Sequence, residues 1–129
     1  MSRPVGRTLP VVERIALDRA TTKRRRGLEE VAVVLTQGDT QLQGAASVRR
    51  GESTAEAAVK ATIQALGERA PSVQSIAVER VTAGPVRIMR VTVRSGDELF
   101  EGSCSMAERT LGEAAARAAL DALNPTWGT

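Results

Sequence analysis

The chain has no histidine and no tyrosine, and only one cysteine, one phenylalanine and one tryptophan among its 129 residues. Without histidine the usual zinc ligand sets cannot be assembled, and a single thiol cannot close an internal disulfide. Cys104 also lacks an imidazole base to activate it, so it reads as an inert strand residue. With Phe100 and Trp127 as the only aromatics, the core has to be built from Val, Ile, Leu and abundant Ala, and small side chains let backbones approach closely. No apolar run reaches the ~18 residues of a membrane span. The opening Met-Ser-Arg-Pro-Val-Gly-Arg has no apolar signal core, so the expected compartment is the cytoplasm, with no membrane partner. No Walker, Rossmann or hydrolase motif occurs, and Glu98, Glu101, Glu108 and Glu113 have no apolar pocket around them to raise a pKa. The expectation is a protein that is not an enzyme, with no metal and no cofactor.

What is present is a duplication. Ile15-Ala16-Leu17-Asp18-Arg19 returns as Ile76-Ala77-Val78-Glu79-Arg80, Gly38-Asp39 as Gly96-Asp97, Gly44 as Gly102, Ser47 as Ser105, Glu56 as Glu113 and Leu66 as Leu123. Two copies, rather than three or more, argue for two half-units sharing one core and against a stacked solenoid.

Within each copy the local signals run in the same order. Val11 to Ala20 is a strand candidate, Val31 to Leu35 a β-branched run suited to a buried strand, and Thr40 to Val48 a third strand after the Gly38-Asp39 turn. Ser53-Thr54-Ala55-Glu56 has the form of a helix capping box, and the apolar stripe Ala55, Ala58, Val59, Ile63 and Leu66 continues from it. Gly67 and Pro71 end that helix. The second copy offers strands over 73–81, 86–94 and 99–105, and a second capping box, Thr110-Leu111-Gly112-Glu113. Its helix closes at Asn124-Pro125, with Trp127 beyond as a lid on the core. A flexible tail over 1–10, repeat 1 over 11–70 and repeat 2 over 72–129 therefore predict a single α+β domain of two βββα repeats. Each repeat is too small to bury its own sheet and helix, so they pack about a pseudo-twofold axis, three-stranded antiparallel sheets with the helices between. Ala58, Ala61, Ala115 and Ala118 are the expected close contact of the two helices.

Leu42-Gln43-Gly44 leading to Ala55-Glu56-Ala57-Ala58-Val59-Lys60-Ala61, and Phe100-Glu101-Gly102 leading to Gly112-Glu113-Ala114-Ala115-Ala116-Arg117-Ala118, resemble the C-terminal regulatory domain of the 2-isopropylmalate synthase and citramalate synthase family. The resemblance implies a homodimer that holds a small metabolite, leucine or isoleucine, between its repeats. The family's catalytic barrel has no counterpart in these 129 residues, and its Gly-x-Gly loop is reduced to Gly44-Ala45-Ala46-Ser47 and Gly102-Ser103-Cys104-Ser105. The latter segment, with Glu108-Arg109 and the Ala-rich helix, also resembles the end of a double-stranded RNA-binding domain, although the lysine cluster at the helix start is replaced by Met106, Ala107 and Arg109.

The sequence supports two functional expectations. In the first, the chain is a non-catalytic binding or regulatory module whose ligand enters between the repeats near Gly44, Ser47, Gly102 and Ser105. In the second, it is an adaptor that holds an anionic partner, nucleic acid among the options, through Lys23-Arg24-Arg25-Arg26. Those four cations explain why residues 1–70 carry 12 Lys/Arg against 8 Asp/Glu while residues 71–129 carry 6 against 7. They read as a loop between the first two strands, partly neutralised by Glu29 and Glu30. The fold does not require them, because the second copy has Ala83-Gly84-Pro85 in their place. Arg90 and Arg94 share a strand face, where pairing with Glu79, Glu98 or Glu101 accounts for them.

Overall fold

The computed structural model describes residues 14–123. The expected tail, the start of the first strand at Val11, the Asn124-Pro125 stop and the Trp127 lid lie outside them. Two three-stranded antiparallel sheets each lead into a helix: β1 (Ala16–Arg25), β2 (Leu28–Gln37), β3 (Thr40–Ser47), α1 (Thr54–Leu66), β4 (Ser75–Ala83), β5 (Val86–Ser95), β6 (Glu98–Ser105) and α2 (Leu111–Leu123). A short 3-10 turn over Gly67–Arg69 links the halves. β2 is central in the first sheet and β5 in the second.

The β2 run works as its composition demands. Val31, Val33 and Leu35 point inward and are fully or almost fully buried, as are Met89, Val91 and Val93 on β5. Both second hairpins turn on Gly38-Asp39 and Gly96-Asp97, with φ of 60° and 61° at the glycines. Positive φ at the first central residue alone is the signature of a II′ turn, whose twist suits a two-residue hairpin.

Both helices start where expected. The Ser53 hydroxyl accepts from the Glu56 N–H at 3.1 Å, and Glu56 Oε1 accepts from the Ser53 N–H at 3.2 Å. Thr110 Oγ1 accepts from the Glu113 N–H at 3.1 Å. α1 packs on β2 and β3 of its own sheet and reaches β4 of the other; α2 packs on β5 and β6 and reaches β1; and the helices touch each other. The helix pair therefore forms the middle layer between two sheets. This is why both helices are rich in alanine: α2 buries Ala114, Ala115, Ala116, Ala118, Ala119 and Ala122 around most of its circumference.

Three expectations need correction. The first strand runs to Arg25, not to Ala20, because Lys23 and Arg24 stand opposite Glu30 and Glu29 in the ladder; an edge strand with an open face tolerates charge. The Ile15 to Arg19 match with Ile76 to Arg80 is out of register: Leu17 opposes Leu35 whereas Ile76 opposes Val93, and a bulge at Asp18 shifts the rest of β1. Ile15 instead precedes β1 and is 3% exposed. The helices meet with Ala58 near Gly112, where an added Cβ would lie 4.0 Å from that of Ala58.

The last correction concerns Gly44 and Gly102, expected at the mouth of a cleft between repeats. Each lies under its own helix. A Cβ on Gly44 would stand 2.2 Å from the Ala61 carbonyl oxygen and 2.6 Å from the Ala65 nitrogen. On Gly102 it would stand 2.2 Å from the Ala122 nitrogen and 2.3 Å from the Ala118 oxygen. Beside these contacts Gln64 Oε1 accepts from the Ala45 N–H at 2.6 Å, and Asp121 Oδ2 from the Ser103 N–H at 3.0 Å. The helix thus fastens to the outermost strand at the same point in both halves.

Candidate functional site

The basic segment is the end of a hairpin rather than a loop. Lys23, Arg24 and Arg25 finish β1, and Arg26-Gly27 form the two-residue turn into β2, with φ of 52° and 79°. Positive φ at both central residues is the I′ pattern, which normally takes Asn or Gly at the first position. Strand alternation then sorts the charges. Lys23 and Arg25 oppose Glu30 and Leu28 on the outer face, and Arg24 opposes Glu29 on the inner one. Arg19 lies on the outer face too, opposite Val34.

The outer-face groups converge on a hollow of about 350 Å³ lined by Lys23, Arg25, Arg26, Leu28, Glu30 and Ser47. Leu28 is 65% exposed beside the cations. Ser47 enters because it pairs with Glu30 across β2 and β3. The structure therefore brings Ser47 together with three of the four cations, and sends Arg24 to the other face. Of the two expected counter-charges, Glu30 stands opposite Lys23 and lines the hollow, while Glu29 Oε1 accepts from the Thr54 hydroxyl at 3.2 Å. Among the described residues none of the four cations forms an ion pair.

Ser105 occupies the corresponding place in the second repeat, in a hollow with Pro85, Val86, Arg87 and Arg109. Its Oγ accepts from the Ala107 N–H at 3.2 Å, and Arg109 Nη1 donates to its carbonyl at 3.2 Å. Gly44 and Gly102 reach neither hollow; both are taken up by helix docking. Cys104 faces the core opposite Met89, and its thiol donates to the Ser105 carbonyl at 3.3 Å. Arg90 is paired as expected, its Nη2 2.6 Å from Glu79 Oε1, and that hydrogen bond raises the guanidinium pKa further.

Two residues escaped the sequence reading. The left-handed backbone of Arg26 carries no mark of its own in the sequence, although its counterpart being Gly84, at φ 62°, is a clue. Arg117 is the second. Its side-chain Nε is buried with no hydrogen-bond partner among the described residues, and the comparison of Lys60 with Arg117 in the two copies would have exposed it.

Neither a protein-family model nor a curated protein matches the chain.

Proposed function

We propose that this chain is a small, non-catalytic binding module of the cytoplasm that holds an anionic macromolecule at the tip of its β1–β2 hairpin. One observation carries the reading. Arg26 adopts a left-handed conformation, φ 52°, at a position where the sister hairpin has Gly84 at φ 62°. For an L-residue with a Cβ that conformation costs about 1–2 kcal/mol, so the tip forgoes the residue that its twin uses and carries a cation instead. The two tips also differ in turn type, since Gly27 follows at φ 79° where the sister hairpin has Pro85, whose ring fixes a negative φ, and a strained residue of this kind is an outlier that accompanies functional sites. Lys23 and Arg25 on the same face, with the exposed Leu28 beside them, add to the support.

Among the described residues no aromatic side chain lines the hollow, so none of them offers a platform for stacking unpaired bases. Recognition is electrostatic, by backbone phosphates or by carboxylates. The test is a salt titration of binding to duplex DNA, with polyglutamate in a parallel arm. Each lost phosphate contact should flatten the slope of log K against log salt by about 0.9. Changing Lys23, Arg24, Arg25 and Arg26 to Ala together should remove most of the slope, and a slope that survives overturns the reading. Tight binding of polyglutamate alone would assign an acidic protein as the partner.

The resemblance to amino-acid-sensing regulatory domains favours a homodimer as the working unit. Light scattering at several concentrations decides that. Ligand entry at Gly44 and Gly102 has lost its support, because both positions are closed by helix backbone.

A further inference from the structure

Where α2 lies over β1 there is a groove of about 240 Å³, lined by Arg14, Ile15, Leu17, Arg117, Leu120 and Asp121 among others. Its mate in the pseudo-twofold arrangement, where α1 meets β4, is lined by Lys60, Ile63 and residues 73–76. Lys60 corresponds to Arg117 and Ile63 to Leu120, the same turn of each helix. Their chemistry has diverged. Lys60 is exposed and ion-paired with Glu52, whereas Nε of Arg117 is buried and has no hydrogen-bond partner among the described residues. The reason lies in the second copy itself: the residue in the place of Glu52 is Arg109, so Arg117 has no carboxylate. Asp121, one turn further along α2, gives Oδ2 to the Ser103 N–H.

A buried guanidinium N–H with no acceptor is a standing cost that native proteins rarely leave unanswered. Here it borders a groove walled by the aliphatic Ile15, Leu17 and Leu120 and by Asp121, one oxygen of which is held by the Ser103 N–H. We propose that this groove binds a small aliphatic carboxylate. Arg117 takes the carboxylate through its planar fork, Arg14 adds a second positive charge, and the hydrocarbon lies against Ile15, Leu17 and Leu120. The volume falls below the ~300–1,000 Å³ of drug-sized sites, which suits an acid of metabolite size. An amino acid fits less well, because its ammonium would stand beside two guanidinium groups and the groove's carboxylate, Asp121, is already engaged by the Ser103 N–H. The site is separate from the basic hairpin tip and does not depend on it.

The experiment is a chemical-shift titration of the full chain with 4-methylpentanoate, alongside its primary amide and leucine. The acid should give saturable shifts at Ile15, Leu17 and Leu120, and both controls should bind roughly tenfold more weakly or worse, the amide through loss of a charged hydrogen bond and leucine through repulsion of its ammonium by the two guanidinium groups. Arg117→Leu should abolish the shifts and Arg117→Lys weaken them, both leaving the salt slope for duplex DNA unchanged. The proposal is overturned if the acid gives no saturable shift at those residues, if amide or leucine binds as tightly as the acid, or if Arg117→Leu keeps full affinity. The three-compound comparison uses the unaltered protein, so it stands whether or not the variants fold.

Discussion

Three glycines show how differently one residue type is used. Gly44 and Gly102 sit where a Cβ would overlap helix backbone, 2.2 Å from the nearest atom in each case, and backbone cannot swing aside as a flexible side chain does. Gly44→Ala and Gly102→Ala are each expected to cost about 1–3 kcal/mol through overpacking. Gly112, in the first turn of α2, would meet nothing closer than 3.8 Å, so Gly112→Ala should stabilise by about 0.5–1 kcal/mol through helix propensity. Denaturant midpoints for the three variants check both signs. Ala118→Leu belongs with the first pair: the site is fully buried, and the extra methylenes should cost about 1–3 kcal/mol.

Within single elements, conformational strain and charge pull against each other. Arg26→Asn keeps the turn and relieves the left-handed penalty, so it should raise stability by up to about 1 kcal/mol while weakening polyanion binding. A variant that loses stability instead would show that the arginine side chain packs favourably at the tip. At the start of α1, Lys60 hydrogen-bonds Glu52 and holds its carboxyl below the ordinary value of 4.5, helped by the Arg49 N–H, which donates to Glu52 Oε1. A lowered folded-state pKa means that this contribution is complete above the unfolded value and fades as pH falls through the folded one. Glu52→Gln should therefore flatten the acid limb of stability against pH below about 4.5, as tracked by urea midpoints.

The elements themselves were legible because their signals are local. The capping box at Ser53, the hairpin turns at Gly38 and Gly96, though not their type, and the Val31-Val33-Leu35 alternation each need only a few neighbouring residues. What was not legible depends on partners distant in the chain. Lys23 to Arg25 read as loop because their strand state is set by Glu29, Glu30 and the rest of β2. Gly44 read as a loop mouth because the helix that covers it is 17 residues further on, at Ala61. Ser47 and the cations were singled out for different reasons, and only the β1-β2-β3 register shows that they share one hollow.

At the scale of the whole molecule, each half supplies a helix that helps cover the other half's first strand. Residues 14–66 and 72–123 prepared as separate peptides should each lack cooperative unfolding, and should regain it when mixed in equal amounts. Circular dichroism melts of each alone and of the mixture test this. A cooperative melt from residues 14–66 alone would refute mutual dependence.

The two places where a helix side chain grips an outermost strand have a wider meaning. A bare strand is a template on which another chain can lay down its own backbone, and sheets of only three strands leave β1, β3, β4 and β6 at that risk. Gln64 occupies the amide of Ala45, and Asp121 that of Ser103; on the opposite borders β1 is kinked by its bulge and crowded with cations, and β4 carries Glu79 and Arg80. Duplication copied a liability together with the fold, and it copied the guard against fibril growth in the same stroke.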